Sequence, residues 1–177
     1  MTSTRLSRGI AAAALLAGLA LGGCSAQPGA AAVVDGQRIS EGELSRTVSD
    51  FSAVVGQPVE ARQLLGTLIV APMILDVAAD YGVAASDDEA AQLLDAQLEA
   101  SGQTAPEEGY SDGLLQVAKV VIVNQEMSMA PDATIAVEEV NTRIAEADIE
   151  VSPRYGEFDP TTGEVLADEL PWIVSGQ

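Results

Sequence analysis

VEARQLLGTLIVAPMILDVAADY, residues 59–81, is apolar on nearly every face of a helix and decides the fold. A helix that is apolar all round is typical of the centre of a bundle. Pro72 lacks a backbone donor, so we predict a central helix that is kinked or split there. A membrane span is the alternative. It is disfavoured because Arg62 and Asp76 enclose only thirteen residues, fewer than the roughly 20 that a span needs, and Asp80 follows.

Helices are also predicted on both sides of this segment. Ser40 and Glu43 have the spacing of a capping box, and so do Ser86 and Glu89. Apolar residues follow each start at helical intervals. The run 120–123 is β-branched, which leaves a strand as the alternative there, although the run does not alternate. The fold class is therefore mainly α, with helices predicted over about 40–55, 59–81, 86–100, 111–129 and 132–147.

Two short strands are predicted at opposite ends of the helical region. Residues 32–34 (AVV) are apolar and end in Asp35-Gly36, a strong turn signal. Residues 148–151 (DIEV) alternate polar and apolar, as a half-buried strand does, and Pro153 favours an edge strand. We expect a short two-stranded pairing of these N- and C-terminal ends, which would close the domain.

The beginning of the chain has the layout of an export signal. Arg5 and Arg8 precede an apolar run over residues 10–21, and LGGC (21–24) closes it with the only cysteine of the chain. This segment resembles the leader of bacterial lipoprotein precursors, whose lipobox ends in such a cysteine. The alternatives are a retained transmembrane helix, for which the apolar run is too short, and a cysteine that stands there by chance.

The lipoprotein resemblance implies an address for the protein. In that family the cysteine thiol, here Cys24, receives a diacylglyceryl group and becomes the first residue after cleavage. Two acyl chains are needed because one gives only marginal membrane attachment. The expected location is therefore the cell membrane, with a lipid anchor at Cys24 and the domain on the extracytoplasmic side.

Charge excludes one class of function. The chain has 27 acidic and 8 basic residues, a net charge of −19, and removal of residues 1–23 with Arg5 and Arg8 would make it −21. Such a surface repels nucleic acid and anionic headgroups, although salt confines the effect to about 8 Å. We therefore expect no nucleic-acid partner.

The residue inventory also argues against an enzyme. The chain has no histidine and no cysteine besides Cys24, so Ser-His-Asp, Cys-His and the usual zinc sites are excluded. We expect no catalytic residue, no metal site and no cofactor. Met127 and Met129 are candidates for an adaptable peptide groove, with core packing as the alternative. Four carboxylate pairs are interpreted as solvated surface acids: Asp87-Asp88, Glu107-Glu108, Glu138-Glu139 and Asp168-Glu169.

Two segments resemble a chaperone family. AVVDGQRISEGEL (32–44) is similar to the strand, turn and capped helix that open the domain of extracytoplasmic chaperones of the SurA and PrsA type, which is related to trigger factor. VSPRYGEFD (151–159) is similar to the C-terminal strand and exit segment of SurA-like lipoproteins. The leader predicts a signal peptide at 1–23, and the small polar residues after it predict a tether at 24–31. The resemblance implies a SurA-like helical domain at 32–157, followed by a C-terminal extension at 158–177 that we expect to pack loosely or fray.

The same resemblance implies binding of polypeptide. The chain has no room for the parvulin-type isomerase module of that family and lacks its histidines, so prolyl isomerase activity is not expected. The predicted function is chaperone-like binding of unfolded or extended exported polypeptides, through residues that the sequence does not identify. The alternative is a scaffold lipoprotein that binds one folded cell-envelope protein.

Overall fold

The apolar segment forms one long helix around which the other elements pack. The computed structural model describes residues 28–167. The fold is mainly helical, and the segment's helix, α2, contacts α1, α4, α5 and two of the strands. In chain order the elements are β1 Ala30–Val34, β2 Gln37–Ser40, α1 Glu41–Val55, α2 Ala61–Asp80, α3 Asp87–Ala100, α4 Asp112–Ser128, α5 Ala133–Glu146, β3 Ile149–Val151, β4 Glu157–Asp159 and β5 Glu164–Leu166.

Helix α2 continues through Pro72 without a break. Of the two outcomes predicted for this proline, the split is therefore wrong. Proline removes one hydrogen bond to the carbonyl four residues earlier, a local loss. Leu65, Leu68 and Ile69 before it and Val77 after it are buried against neighbouring elements, so packing holds both halves in one helix.

By length and composition α2 is also apolar enough to cross a membrane, and among residues 28–167 no other helix is. The same property is expected of the core helix of a bundle. Half of its most apolar window is buried within the domain. Asp80, near its end, pairs with Arg143 of α5 at 2.6 Å. Contacts inside the domain thus account for the hydropathy of α2.

The ends of the helical region meet in a small antiparallel sheet of order β2-β1-β3. Val33 lies opposite Glu150, and Val34 lies opposite Ile149, so the predicted pairing of the two ends is confirmed. The sheet has three strands, not two, because the Asp35-Gly36 turn returns the chain as β2. Both turn residues have positive φ, as a type I′ hairpin turn requires.

Side chains tie the same two ends together. The Tyr155 hydroxyl donates to the Glu41 carboxylate at 2.5 Å. The Arg154 guanidinium lies 3.3 Å from the same carboxylate. Burial, and then the hydrogen bond to Glu41, raise the pKa of Tyr155 to about 12. The Asp148 N–H donates to the Asp35 carboxylate at 2.9 Å. The segments 32–44 and 151–159 therefore lie against each other.

The end of the described chain is more ordered than expected. Residues 158–166 belong to a β4–β5 hairpin, and Val165 is only 5% exposed in the main hydrophobic cluster. Gly66 on α2 permits this approach, because a Cβ there would lie 2.9 Å from the Gly163 carbonyl oxygen. Loose packing is thus wrong for this part of the predicted extension, and residues 168–177 lie outside the described residues.

The domain also begins earlier than predicted. Ala30 and Ala31, assigned from the sequence to the tether, are buried in the central strand β1. Their small side chains made them look like linker residues. In the sheet the same small size allows β1 to lie close to the helical layer, where Ala31 and Ala32 join the main cluster.

Substitution by alanine is expected to change the stability of the protein in opposite directions at Gly113 and Gly42. These glycines are the second residues of α4 and α1. A Cβ at Gly113 would lie 3.1 Å from Cγ2 of the buried Thr47 and closer still to its hydroxyl, whereas at Gly42 the nearest atom is Ser40 Oγ at 4.0 Å. We expect Gly113→Ala to lower the free energy of unfolding by about 1–3 kcal/mol. Gly42→Ala should raise it by about 0.5–1 kcal/mol in urea unfolding. If both substitutions changed the free energy of unfolding in the same direction, the result would contradict a close α1–α4 contact at Gly113.

Candidate functional site

A groove of about 390 Å³ opens between α2, α5 and the turn that joins β4 to β5. On α2 its lining residues recur at helical intervals and therefore share one face. The opposite wall comes from α5, and residues 160–164 close one end. The helical lining residues are Gln63, Thr67, Val70 and Ile74 of α2 and Val140, Asn141 and Ile144 of α5.

The lining of the groove is mixed: four aliphatic side chains lie among polar groups, which make up slightly more of its accessible surface. Val70, Ile74, Val140 and Ile144 are buried or partly buried, and three of the four belong to the main hydrophobic cluster or pack against it. The exposed lining residues of the two helices, Gln63 and Asn141, carry amides. A ligand in the groove would therefore contact both aliphatic side chains, whose burial provides affinity, and polar groups, which orient it.

The turn that closes the groove is held by its own hydrogen bonds. The Thr161 N–H and hydroxyl both donate to the Asp159 carboxylate, at 2.8 and 2.6 Å. These bonds lower the pKa of Asp159, because they favour the ionised carboxylate. Gly163 has φ +71° and donates its N–H to the Asp159 carbonyl at 2.8 Å. This wall is therefore formed before any ligand enters.

Three exposed apolar side chains lie outside the groove, on α5 and at the end of α4. Val137 is 58% exposed and lies one helical turn before Asn141, on the same face. Ile135 on α5 is also largely exposed, and Met129, at the end of α4, is 73% exposed. Exposed apolar side chains beside a groove mark a surface that can bind polypeptide.

The residues singled out from the sequence lie apart from the groove. Cys24 is outside the described residues. Met127 is buried in a cluster with Val77 and Val123, so core packing is its role, whereas Met129 is exposed without lining the groove. Among residues 28–167 no group of three or more potential metal ligands is brought together.

The predicted surface acids form ion pairs or face solvent. Asp87 lies 2.8 Å from Lys119. Glu139 pairs with Arg143 at 2.7 Å, and the pKa of Arg143 is raised by its hydrogen bonds to Glu139 and Asp80. Glu107 and Glu108 are exposed. The pair Asp168-Glu169 lies outside the described residues.

Sequence reasoning did not find the groove. Its signal on α2 was weak: Gln63 and Thr67 are polar positions one turn apart in an otherwise apolar helix. The wall at residues 160–164 depends on how the hairpin packs against Gly66, which is a tertiary contact. Local patterns do not report such contacts, so the binding residues stayed unidentified.

Comparison of the chain with protein-family models, curated proteins and solved structures gave no match. The assignment of a function therefore depends on the leader, the charge and the groove.

Proposed function

We propose that the protein is a membrane-anchored extracytoplasmic lipoprotein that binds unfolded or extended exported polypeptides in the α2–α5 groove, without prolyl isomerase activity. The observation that carries the proposal is the groove itself, which is open to solvent and is lined by aliphatic side chains as well as by polar groups. The resemblance of the leader to lipoprotein precursors supports the anchor.

The size of the groove favours side chains of an extended segment over a folded domain. About 390 Å³ is near the lower end of the range of ligand sites, about 300–1,000 Å³. Burial of one large apolar side chain contributes about 1.5–3 kcal/mol, so two contribute about 3–6 kcal/mol before the cost of ordering the peptide. This gain corresponds to dissociation constants of about 0.04–6 mM, and the ordering cost weakens binding further, which suits transient holding of a client.

The acidic exterior supports the same role. A surface with a net charge of −19 keeps the domain soluble and clear of anionic headgroups while apolar side chains remain exposed. Lipid attachment at Cys24 would hold the groove near the membrane across which clients emerge.

The second candidate function is a scaffold that binds one folded cell-envelope protein. The exposed side chains of Met129, Ile135 and Val137 favour it, since they extend apolar surface outside the groove. A scaffold predicts one stoichiometric partner. A chaperone predicts capture of several unrelated unfolded clients.

The first experiment measures aggregation of several unrelated unfolded proteins in the presence of residues 25–177. This chain retains every described element, and circular dichroism checks that it is helical. Suppression across clients at near-stoichiometric ratios supports the proposal. A folded protein that suppresses none of them favours the scaffold.

A large side chain at Asn141 is expected to block the groove. Asn141 is exposed on α5 and lines the groove, so Asn141→Trp fills it without replacing a core residue. We expect at least a tenfold loss of affinity for an extended apolar peptide, measured by calorimetry. The matched control is Asn124→Trp, because Asn124 is exposed on α4 and does not line the groove. Equal affinity of the two variants would place binding elsewhere.

A further inference from the structure

We propose that the preferred occupant of the groove is an apolar polypeptide segment flanked by lysine or arginine. The inference rests on the proposed function and names the class of polypeptide that the groove selects.

One acidic residue lines the groove, and two others lie close in sequence to lining residues. Glu164 lines it at the hairpin turn. Glu60 lies three residues before Gln63 at the start of α2, and Glu138 lies three residues before Asn141, on the neighbouring turn of α5. Glu60, Glu138 and Glu164 are exposed, and none of them forms an ion pair within residues 28–167. A peptide whose centre lies in the groove would carry a flanking residue past the Glu164 carboxylate.

The lining offers no compensating positive charge, since it contains neither lysine nor arginine. Three basic residues are held elsewhere: Lys119 by Asp87, Arg143 by Asp80 and Glu139, and Arg154 by Glu41. Arg62 precedes Gln63 in the sequence. Like Glu60 and Glu138, Arg62 is not part of the lining, in which Glu164 is the only charged side chain.

The composition of the domain strengthens the local charge. The chain has 27 acidic and 8 basic residues, two of which, Arg5 and Arg8, belong to the leader. This excess of acidic over basic residues raises the concentration of cationic segments near the protein. The exposed Glu164 carboxylate at the groove then determines where those segments bind. Because this carboxylate is exposed, we expect a modest preference, about threefold to tenfold for a cationic over a neutral peptide, that weakens with salt.

The test uses residues 25–177 and three peptides with one centre, Leu-Ser-Val-Ala-Leu, flanked on both sides by pairs of lysine, glutamine or glutamate. Calorimetry gives the dissociation constant of each at about 0.02 M and about 0.5 M salt. We expect the order lysine, glutamine, glutamate at low salt, with the three values converging at high salt. Asn141→Trp should weaken all three, and Asn124→Trp should weaken none.

A charge variant locates the preference. Glu164→Gln should reduce the ratio of lysine-flanked to glutamine-flanked affinity, whereas Glu126→Gln, at an exposed position of α4 outside the lining, should leave it unchanged. Equal binding of all three peptides would overturn the charge preference and leave the proposed function standing. Binding of none would overturn both. A lysine preference that survives Asn141→Trp would show attraction to the general surface and overturn the inference.

Discussion

Cys24→Ala is expected to abolish lipid labelling of the chain completely and to leave the precursor uncut. The thiolate is the nucleophile that would accept the diacylglyceryl group, and alanine offers none. No other cysteine is present to replace it. The measurement is incorporation of a labelled fatty acid in a bacterial host, together with the mass of the purified chain.

The control for this prediction is Ser25→Ala, which changes the neighbouring residue and keeps the thiol. We expect it to be labelled and cut like the parent chain. Membrane association alone does not test the assignment, because an uncut leader with its apolar run at 10–21 can itself hold the chain at a membrane. A labelled Cys24→Ala chain would contradict the lipobox assignment.

Helix positions could be predicted because their signals are local. The Ser86 hydroxyl accepts from the Glu89 N–H at 3.2 Å, and the Glu89 carboxylate accepts from the Ser86 N–H at 2.8 Å, which is the predicted capping box. The pKa of Glu89 is lowered because the Ser86 N–H and then the Ser86 hydroxyl donate to its carboxylate. Ser40 makes only the first of the two bonds, accepting from Glu43 at 3.1 Å. Gly56 ends α1 with φ +70°.

The face of α4 shows where local patterns fail. Within the β-branched run 120–123, Val121 is exposed, whereas Val120 and Val123 are buried. Helix α4 contacts α2 and α3 on different sides, as well as α1 and α5. Its buried arc is therefore wide and is set by several neighbours, which one periodic stripe does not describe.

Ser111 shows the same limit at a helix start. Its position before α4 is the predicted N-cap position, but its hydroxyl makes no capping bond. Instead the Ser111 N–H donates to the Asp50 carboxylate of α1 at 3.2 Å. A tertiary partner has replaced the local one, as in the groove, where the hairpin wall depends on contact with Gly66.

Leu65→Ala is expected to lower the free energy of unfolding by about 2–5 kcal/mol, a large share of the roughly 5–15 kcal/mol typical of a domain. Leu65 lies on α2 in the main hydrophobic cluster and is 0% exposed. Alanine is at least as good a helix former, so the loss comes from the cavity and the missing contacts. Urea unfolding followed by circular dichroism measures it.

The matched control is Leu93→Ala, the same substitution on α3 at a side chain that is 39% exposed. It removes much less apolar area from the interior, so we expect a loss below about 1 kcal/mol. The comparison is valid when the free energy of unfolding falls with urea concentration at the same slope in both variants. A changed slope indicates that the unfolded or the native state has changed. Equal losses at Leu65 and Leu93 would contradict the central position of α2. Since Val70 and Ile74 of the same helix line the groove, a core that holds α2 in place also fixes the wall on which peptide binding depends.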